Sequence, residues 1–476
     1  MSNLKQQTIS GVKWNTVGRF SSQFISFFIG LILARMLSPS DYGVIGMLAV
    51  FFAIAQTFID SGFGSALIRK KDCTDVDYST AFYFNIVVGL ISFIALFSCA
   101  PYIASFFNTP ILKDVCRVLS INLFINSLTI VQNSILTSDI NFKSLAKINV
   151  VCTLMSGVVG VSMAYMGYGV WSLVYQQLTS AIIRAIMLWL STKWRPQLIF
   201  SKDSFKYLFG FGSKILSSSL LHTIYANLTT IIIGKYYTPK DLGYYARGES
   251  LATFPSSNIS AILQSVTYPI LSKIQDDDER LINAYRKYIK ITSMVIFFGM
   301  FLLAAIAKHV ILTLLTEKWS ESIIYLQVFC FAWMFDHLCQ LNLNILYVKG
   351  RSDLVLRLEV IKKTISISMI VAAIPFGVLA ICISRALYTQ IAVIINTYYT
   401  GKLFGLGYFA QVKDFFKYLL YSLIAVFPAF VLSYTSLPSI AVLAIGSSLA
   451  CFIYWLFVRN DDGFVELLHL VFKRSK

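Results

Sequence analysis

Charged side chains are scarce in this chain. They make up 13% of its 476 residues, about half the roughly 25% of a soluble globular protein, too few to clothe a water-facing surface. Its eight cysteines form no CxxC pair, which argues against a metal site and against a disulfide framework. Cys99, Cys152, Cys330, Cys339, Cys382 and Cys451 fall in apolar runs and are expected as small buried hydrophobes. No P-loop pattern occurs, so hydrolysis of ATP is not expected; Gly62-Phe63-Gly64 lacks a phosphate-binding context and reads as helix-end packing. No connecting segment reaches ~40 residues, below the smallest domains that fold unaided. A membrane glycosyltransferase or polymerase would bring a long external loop with carboxylates, and there is none. The chain is therefore expected to be no enzyme, with no catalytic residue, no metal and no cofactor.

What is present is apolar: 57% of residues are hydrophobic and 15% aromatic, with 38 phenylalanines. The fold class this predicts is an all-α integral membrane protein. A span needs ~20 mostly apolar residues, and fourteen stretches qualify: 12–36, 42–68, 80–107, 115–137, 145–165, 170–190, 207–236, 243–270, 285–315, 323–347, 359–374, 378–404, 415–434 and 440–457. The first is longer than the ~7–15-residue core of a signal peptide and is expected to span. Breaks carry turn chemistry, as in Ser38-Pro39-Ser40-Asp41, Gly167-Tyr168-Gly169, Thr238-Pro239-Lys240-Asp241 and Pro375-Phe376-Gly377. They are tight enough to force antiparallel neighbours.

The chain is basic, at net +17. With the N-terminus inside, the cytoplasmic breaks and tail hold roughly 28 Lys and Arg against about 8 outside. Arg69, Lys70 and Lys71, the group from Lys273 to Lys290, and the tail cations Lys473, Arg474 and Lys476 are on the inner side; Lys113, Lys240 and Lys318 are outside. Both termini are thus expected in the cytoplasm, which agrees with an even span count. The charge is a topology signal, and no nucleic-acid partner is required. The run Asp276-Asp277-Asp278-Glu279 reads as a solvated cytoplasmic loop.

Shifted by 200 residues, the chain weakly matches itself. Arg35-Met36-Leu37-Ser38-Pro39-Ser40-Asp41-Tyr42-Gly43 faces Lys235-Tyr236-Tyr237-Thr238-Pro239-Lys240-Asp241-Leu242-Gly243, with a cation, Pro, Asp and Gly at equal spacing. Helix hairpins in general favour Pro, Asp and Gly, but here the match also divides the first twelve spans equally. It predicts two six-helix lobes related by a pseudo-two-fold along the membrane normal, with a site between them. The expected domains are an N-lobe over 1–200, a C-lobe over 201–405, and a helix pair with a cytoplasmic tail over 406–476.

A charge near the bilayer centre costs on the order of 2.5–3.5 kcal/mol on insertion scales, so each one is a functional candidate. Arg19, Arg184, Lys214 and Arg385 fall well inside spans, and Arg35, Lys235 and Arg247 lie near external helix ends. Gln23 shares a face with Arg19, and the seventh span carries Lys214, His222 and Asn227. Acids are fewer: Asp60, Glu249, Asp336 and Glu359. A cation or drug exporter needs carboxylates, whereas a mainly cationic cavity suits a phosphate or pyrophosphate. The candidate substrate-binding set is Arg19, Lys214, Arg247, Arg35 and Lys235, with Gln23, Asp60, Glu249 and Asn227 as coupling or cavity polar residues. Arg247 is included because Glu249 is nearby and Gly243 stands one turn away at the hairpin; Arg184 and Arg385 are left out. Snorkelling to headgroups is the other reading of Arg19, Arg184 and Lys214, and both stand. His309 and His337 read as satisfied interior or interfacial histidines.

The chain resembles the polysaccharide transporter (oligosaccharide flippase) family, of the lipopolysaccharide- and colanic-acid-type exporters in the multidrug/oligosaccharidyl-lipid/polysaccharide exporter superfamily. The resemblance rests on Gly11-Val12-Lys13-Trp14, Leu33-Ala34-Arg35 with Leu37 to Gly43, Asp60-Ser61-Gly62-Phe63-Gly64 through Arg69, and Gly169 to Val174. In the second half it rests on Ile233-Gly234-Lys235, Leu242-Gly243-Tyr244-Tyr245 with Arg247, and Lys349-Gly350-Arg351-Ser352-Asp353. It covers about four hundred residues and fades after the twelfth span. It implies fourteen helices in a bacterial cytoplasmic membrane, moving an undecaprenyl-pyrophosphate-linked oligosaccharide by alternating access for O-antigen, capsule or exopolysaccharide synthesis. The implied partners are that lipid-linked oligosaccharide, the bilayer and a polysaccharide polymerase. Two other functions stay open: a cation-coupled multidrug antiporter on the same fold, and a polymerase or ligase of the same pathway.

Overall fold

In lipid there is no water to bond an exposed peptide group, so an apolar spanning segment closes its hydrogen bonds within itself as a helix. The computed structural model follows that rule. It describes residues 2–60, 62–461 and 463–465, leaving aside the side chains of 2–10, 12, 257–266, 268 and 269. Ser61 of the motif that opens at Asp60, and the tail cations Lys473, Arg474 and Lys476, lie outside the described residues. About 86% of the chain is helix, with no strand among the described residues.

The helices are α1 (Ser2–Met36), α2 (Pro39–Asp60), α3 (Phe63–Arg69), α4 (Asp75–Phe106), α5 (Leu112–Ser127), α6 (Ile130–Ser138), α7 (Phe142–Tyr165), α8 (Val170–Ser191) and α9 (Lys202–Tyr236). There follow α10 (Pro239–Lys273), α11 (Asp278–Ala305), α12 (Ala307–Leu314), α13 (Ser322–Trp333), α14 (Asp336–Val348), α15 (Ser352–Ala373), α16 (Val378–Phe404), α17 (Tyr408–Leu432) and α18 (Ser439–Val458). Among the described residues eleven spans are long and apolar enough to cross a membrane, and α5 with α6, bent by 41° at their break, make a twelfth if the pair is one span. The chain is a multi-pass membrane protein. Fourteen spans were expected, and the two outside this count are α10 and α15. Both are helical over the expected segments, but α10 carries Lys240, Asp241, Arg247 and Glu249 near its start, and α15 carries Asp353, Arg357, Glu359, Lys362 and Lys363.

By packing, the chain divides into two compact units, residues 1–243 and 244–476. In the first, α1 lies on α7, α4 on α5, α7 on α8, and α2 on α9. Phe63, Leu67, Phe82, Val131 and Leu208 form a buried cluster, with Trp189, Trp194 and Phe205 around it. Asp77 is buried at the start of α4, where it completes a capping box with Thr74 and pairs with Lys70 at 2.6 Å. In the second unit, α11 lies on α17, α17 on α18, and α16 on α13 and α15. Gln411, Asn342 and Thr400 close a buried knot there: the Asn342 amide donates to Gln411 Oε1 at 3.0 Å, and the Gln411 amide returns a bond to Asn342 Oδ1 at 2.9 Å. The Thr400 hydroxyl also donates to Asn342 Oδ1, at 2.8 Å. His337 Nε2 meets Ser293 Oγ at 2.9 Å, and His309 lies between Ser439 Oγ and the Ser433 carbonyl. Cys152, Cys330, Cys339 and Cys382 are buried as expected, but Cys99 and Cys451 are exposed on the apolar exterior beside residues such as Ile94 and Phe452.

The two hairpins matched in the sequence are matched in structure. Ser38 N–H and Oγ donate to Asp41 Oδ2 at 2.9 and 2.6 Å; Thr238 N–H and Oγ1 donate to Asp241 Oδ2 at 3.0 and 2.6 Å. Proline at the first helical position suits both, since its missing N–H would be unpaired there. The hairpins also touch reciprocally within the first unit. A Cβ on Gly43 would lie 1.7 Å from the Pro239 carbonyl oxygen, and one on Gly243 would lie 1.9 Å from that of Pro39. Only glycine permits this backbone approach.

Candidate functional site

The first unit encloses a polar cavity of about 590 Å³. Its position follows from two interruptions in apolar helices. α2 ends at Asp60, and α3 restarts after Gly62, whose φ of 71° is left-handed and whose place against the Gly212 backbone leaves no room for a Cβ. Across from it, the bend between α5 and α6 turns Asn126, Thr129, Asn133 and Ser134 toward the same space. The Trp189 indole on α8 pins that bend by donating to the Leu128 carbonyl at 3.0 Å. α8 adds Arg184, and α9 adds Ile215, Leu216 and Ser219.

The polar wall is ordered by side-chain amides. Asn126 donates to Gln56 Oε1 at 3.1 Å, and Gln56 Nε2 donates to Asp60 Oδ1 at 3.0 Å. This relay fixes which way Gln56 faces. Thr57 and Thr223 hydroxyls meet at 3.2 Å and tie α2 to α9. The lining thus offers one guanidinium, one carboxylate, three amides and several hydroxyls. Such a mixture can bond the hydroxyls of a sugar from many directions and can pair with one anionic group.

Of the nine residues named from the sequence, Asp60 lines this cavity. Arg19 and Lys214 are exposed on α1 and α9, Gln23 is half-buried on α1, and Arg35 is exposed at the end of α1. Asn227 bonds back to the Thr223 carbonyl of its own helix at 2.9 Å. Lys235 is engaged with α4: its ammonium donates to the Phe106 carbonyl at 2.7 Å and sits 4.4 Å from the Phe106 ring centre. A cation at a helix C-terminus is favourably placed.

In the second unit, Arg247 lies over the Trp319 ring at 5.3 Å, and Glu249, two residues on, points elsewhere. Residues two apart on a helix project from different faces. Glu249 instead takes a bond from Arg385 Nη1 at 2.5 Å. Arg385 also bonds the buried Tyr245 hydroxyl, and its guanidinium lies over Phe329 at 5.5 Å.

Arg184, Gln56, Asn126 and Asn133 were missed in the sequence. Arg184 reads in the sequence as an intramembrane cation with both a cavity and a snorkelling reading open, outside the candidate set; the amides are uncharged and carry no intrinsic signal of function. Their mark was faint: amides within apolar runs, two of them flanking the α5–α6 break. Among the described residues no group of three or more His, Cys, Asp or Glu could hold a metal ion.

The sequence profile of the family described as polysaccharide biosynthesis protein matches residues 32–324. The chain is 26% identical over 357 residues to the teichuronic acid biosynthesis protein TuaB of Bacillus subtilis (strain 168), covering 74% of each. It is 23% identical over 413 residues to the lipopolysaccharide biosynthesis protein WzxC of Escherichia coli (strain K12), covering 86% of this chain and 82% of that one. Among solved structures, the lipid II flippase MurJ in an inward closed conformation has the same fold, with a TM-score of 0.76 at 15% identity over 94% of this chain and 99% of that one. The family resemblance read from the sequence motifs is borne out. Because the profile match runs over more than half of the chain, this membrane protein belongs to the polysaccharide biosynthesis protein family.

Proposed function

We propose that the chain is a flippase carrying an undecaprenyl-pyrophosphate-linked oligosaccharide across the cytoplasmic membrane by alternating access, for O-antigen, capsule or exopolysaccharide synthesis. The observation that carries this reading is the amide-lined cavity of the first unit, with Arg184 and Asp60 on its wall. Its polar lining is costly inside an apolar protein unless a polar cargo uses it. Sugar hydroxyls use the amides and hydroxyls; Arg184, with the sequence-derived cations Arg19, Lys214, Arg247, Arg35 and Lys235, serves the pyrophosphate. The full assembly is fourteen spans, two six-helix lobes over 1–200 and 201–405 plus a final pair, with both termini in the cytoplasm. The equal caps and reciprocal contact of the Gly43 and Gly243 hairpins support its pseudo-two-fold.

Asp60 favours a second reading, a cation-coupled drug antiporter, because a carboxylate in a cavity can take a cation or a proton. A deletion strain separates the two. On the flippase reading the surface glycan is lost and lipid-linked repeat units accumulate on the inner leaflet. Normal glycan with new drug sensitivity would sink it. Arg184→Ala and Arg247→Ala should each abolish glycan export at unchanged protein level in the membrane; unchanged export removes that residue from the site.

A further inference from the structure

Three helices of the second unit change character at one level. α11 carries Arg280, Arg286, Lys287 and Lys290 and is then uncharged from Ile291 to Ala305. α17 carries Lys413, Asp414 and Lys417 and is then uncharged to Leu432. α18 is uncharged to Val458, with Arg459 and Asp461 just beyond. In a membrane protein the step from charged to apolar marks the headgroup level. All three steps meet around one cavity of about 360 Å³, lined by Arg286, Lys287, Lys290, Lys417, Tyr418 and Asp461 among others.

Cations at this level are expected on either side of a topology signal, and loose ones would fan outward into the headgroups. These are held in place. The buried Asp414 takes two parallel bonds from Arg286, each 2.8 Å, and has Lys290 at 3.6 Å. Asp461 pairs with Lys417 at 2.5 Å and accepts from the Tyr418 hydroxyl and the Gly463 amide. Burial works to raise the Asp461 pKa, but the bonds from Lys417, Tyr418 and Gly463 outweigh it and hold it below the usual carboxylate range. Both carboxylates are thereby committed to positioning, and the cavity keeps more cations than acids. Arg286, Lys290 and Lys417 remain 41–43% exposed, so a ligand can reach them.

We propose that this cavity binds the phosphate of an anionic phospholipid headgroup. Clustered Lys and Arg between helix ends recognise phosphate by charge-assisted bonds, and the adjoining uncharged stretches of α11, α17 and α18 give the acyl chains an apolar surface. The site is independent of the transported substrate.

The test uses the full chain in detergent micelles. Thermal unfolding is followed with added phosphatidylglycerol, with phosphatidylcholine of the same chains, and with inorganic phosphate at equal concentration. Phosphatidylglycerol should raise Tm saturably, and the other two should not. Equal stabilisation by phosphatidylcholine overturns the proposal, and an equal shift from inorganic phosphate reassigns the site to a soluble anion and overturns the lipid. Native mass spectrometry should show retained phosphatidylglycerol on the wild-type chain. Lys287→Ala/Lys290→Ala should weaken its affinity roughly thirtyfold, taking about 1 kcal/mol per basic residue; Lys290→Arg alone should keep it. Undiminished binding by the double variant overturns the assignment, and the three wild-type titrations decide the matter even if that variant does not fold.

Discussion

Arg385 shows how a charge settles inside an apolar protein. Its side chain is 28% exposed, and its guanidinium pairs with Glu249 across 136 positions of sequence, so the acid and base neutralise one another. Removing one partner strands the other, at a cost of about 3 kcal/mol, whereas removing both leaves no orphan. Arg385→Met should therefore lower the unfolding free energy in micelles by that amount, and adding Glu249→Gln should restore more than half of it. Additive losses in the double variant would mean that the two groups do not act as a pair. At this scale the sequence was a partial guide. Intramembrane acids and bases announce themselves by their cost, and Asp60 was found on that ground. Their partners were not legible, because a contact between α10 and α16 leaves no trace in local spacing. Glu249 is near Arg247 along the chain, but residues two apart on a helix project from different faces, so chain proximity says nothing of its partner.

Helices were the most legible elements, since apolar length in lipid admits little else. Their interruptions were harder to read. The break at Gly62 and the α5–α6 bend are what open the cavity; the first is marked by the helix-end reading of Gly62-Phe63-Gly64, but the second falls inside an apolar run that reads as continuous. The hairpins at Pro39 and Pro239 were legible because turn chemistry recurs at equal spacing. Their contact explains why glycine stands at both 43 and 243, and it yields a reciprocal prediction. Gly43→Ala and Gly243→Ala should each destabilise the protein by about 1–3 kcal/mol through overpacking against a carbonyl that cannot rotate away. Gly299→Ala, on α11 with open space around its Cβ position, should instead stabilise by roughly 0.5–1 kcal/mol through helix propensity. Denaturation in micelles reads all three. Equal behaviour of Gly43→Ala and Gly299→Ala would show that the close approach is not maintained in the folded protein.

For the whole molecule, the distribution of charge sets a prediction that packing alone does not. Net charge is +17, and the cations concentrate in alternate breaks along the chain. Lys and Arg are retained on the cytoplasmic side during insertion, so the breaks after α3 and α14 are expected to face inward and those after α4 and α17 outward. Site-directed labelling reads this directly. Cys73 is partly exposed in the break after α3, and Cys99 and Cys451 are exposed on α4 and α18, so all three are first replaced by serine. In that background Lys113→Cys and Thr435→Cys, both exposed positions, should react with a membrane-impermeant maleimide in intact cells. Lys71→Cys and Ser352→Cys, exposed as well, should react only after the membrane is opened. The reverse pattern would invert the chain. It would also carry the basic cavity of α11, α17 and α18 to the outer leaflet, because Arg286, Lys290 and Lys417 belong to the same charged breaks that orient the spans.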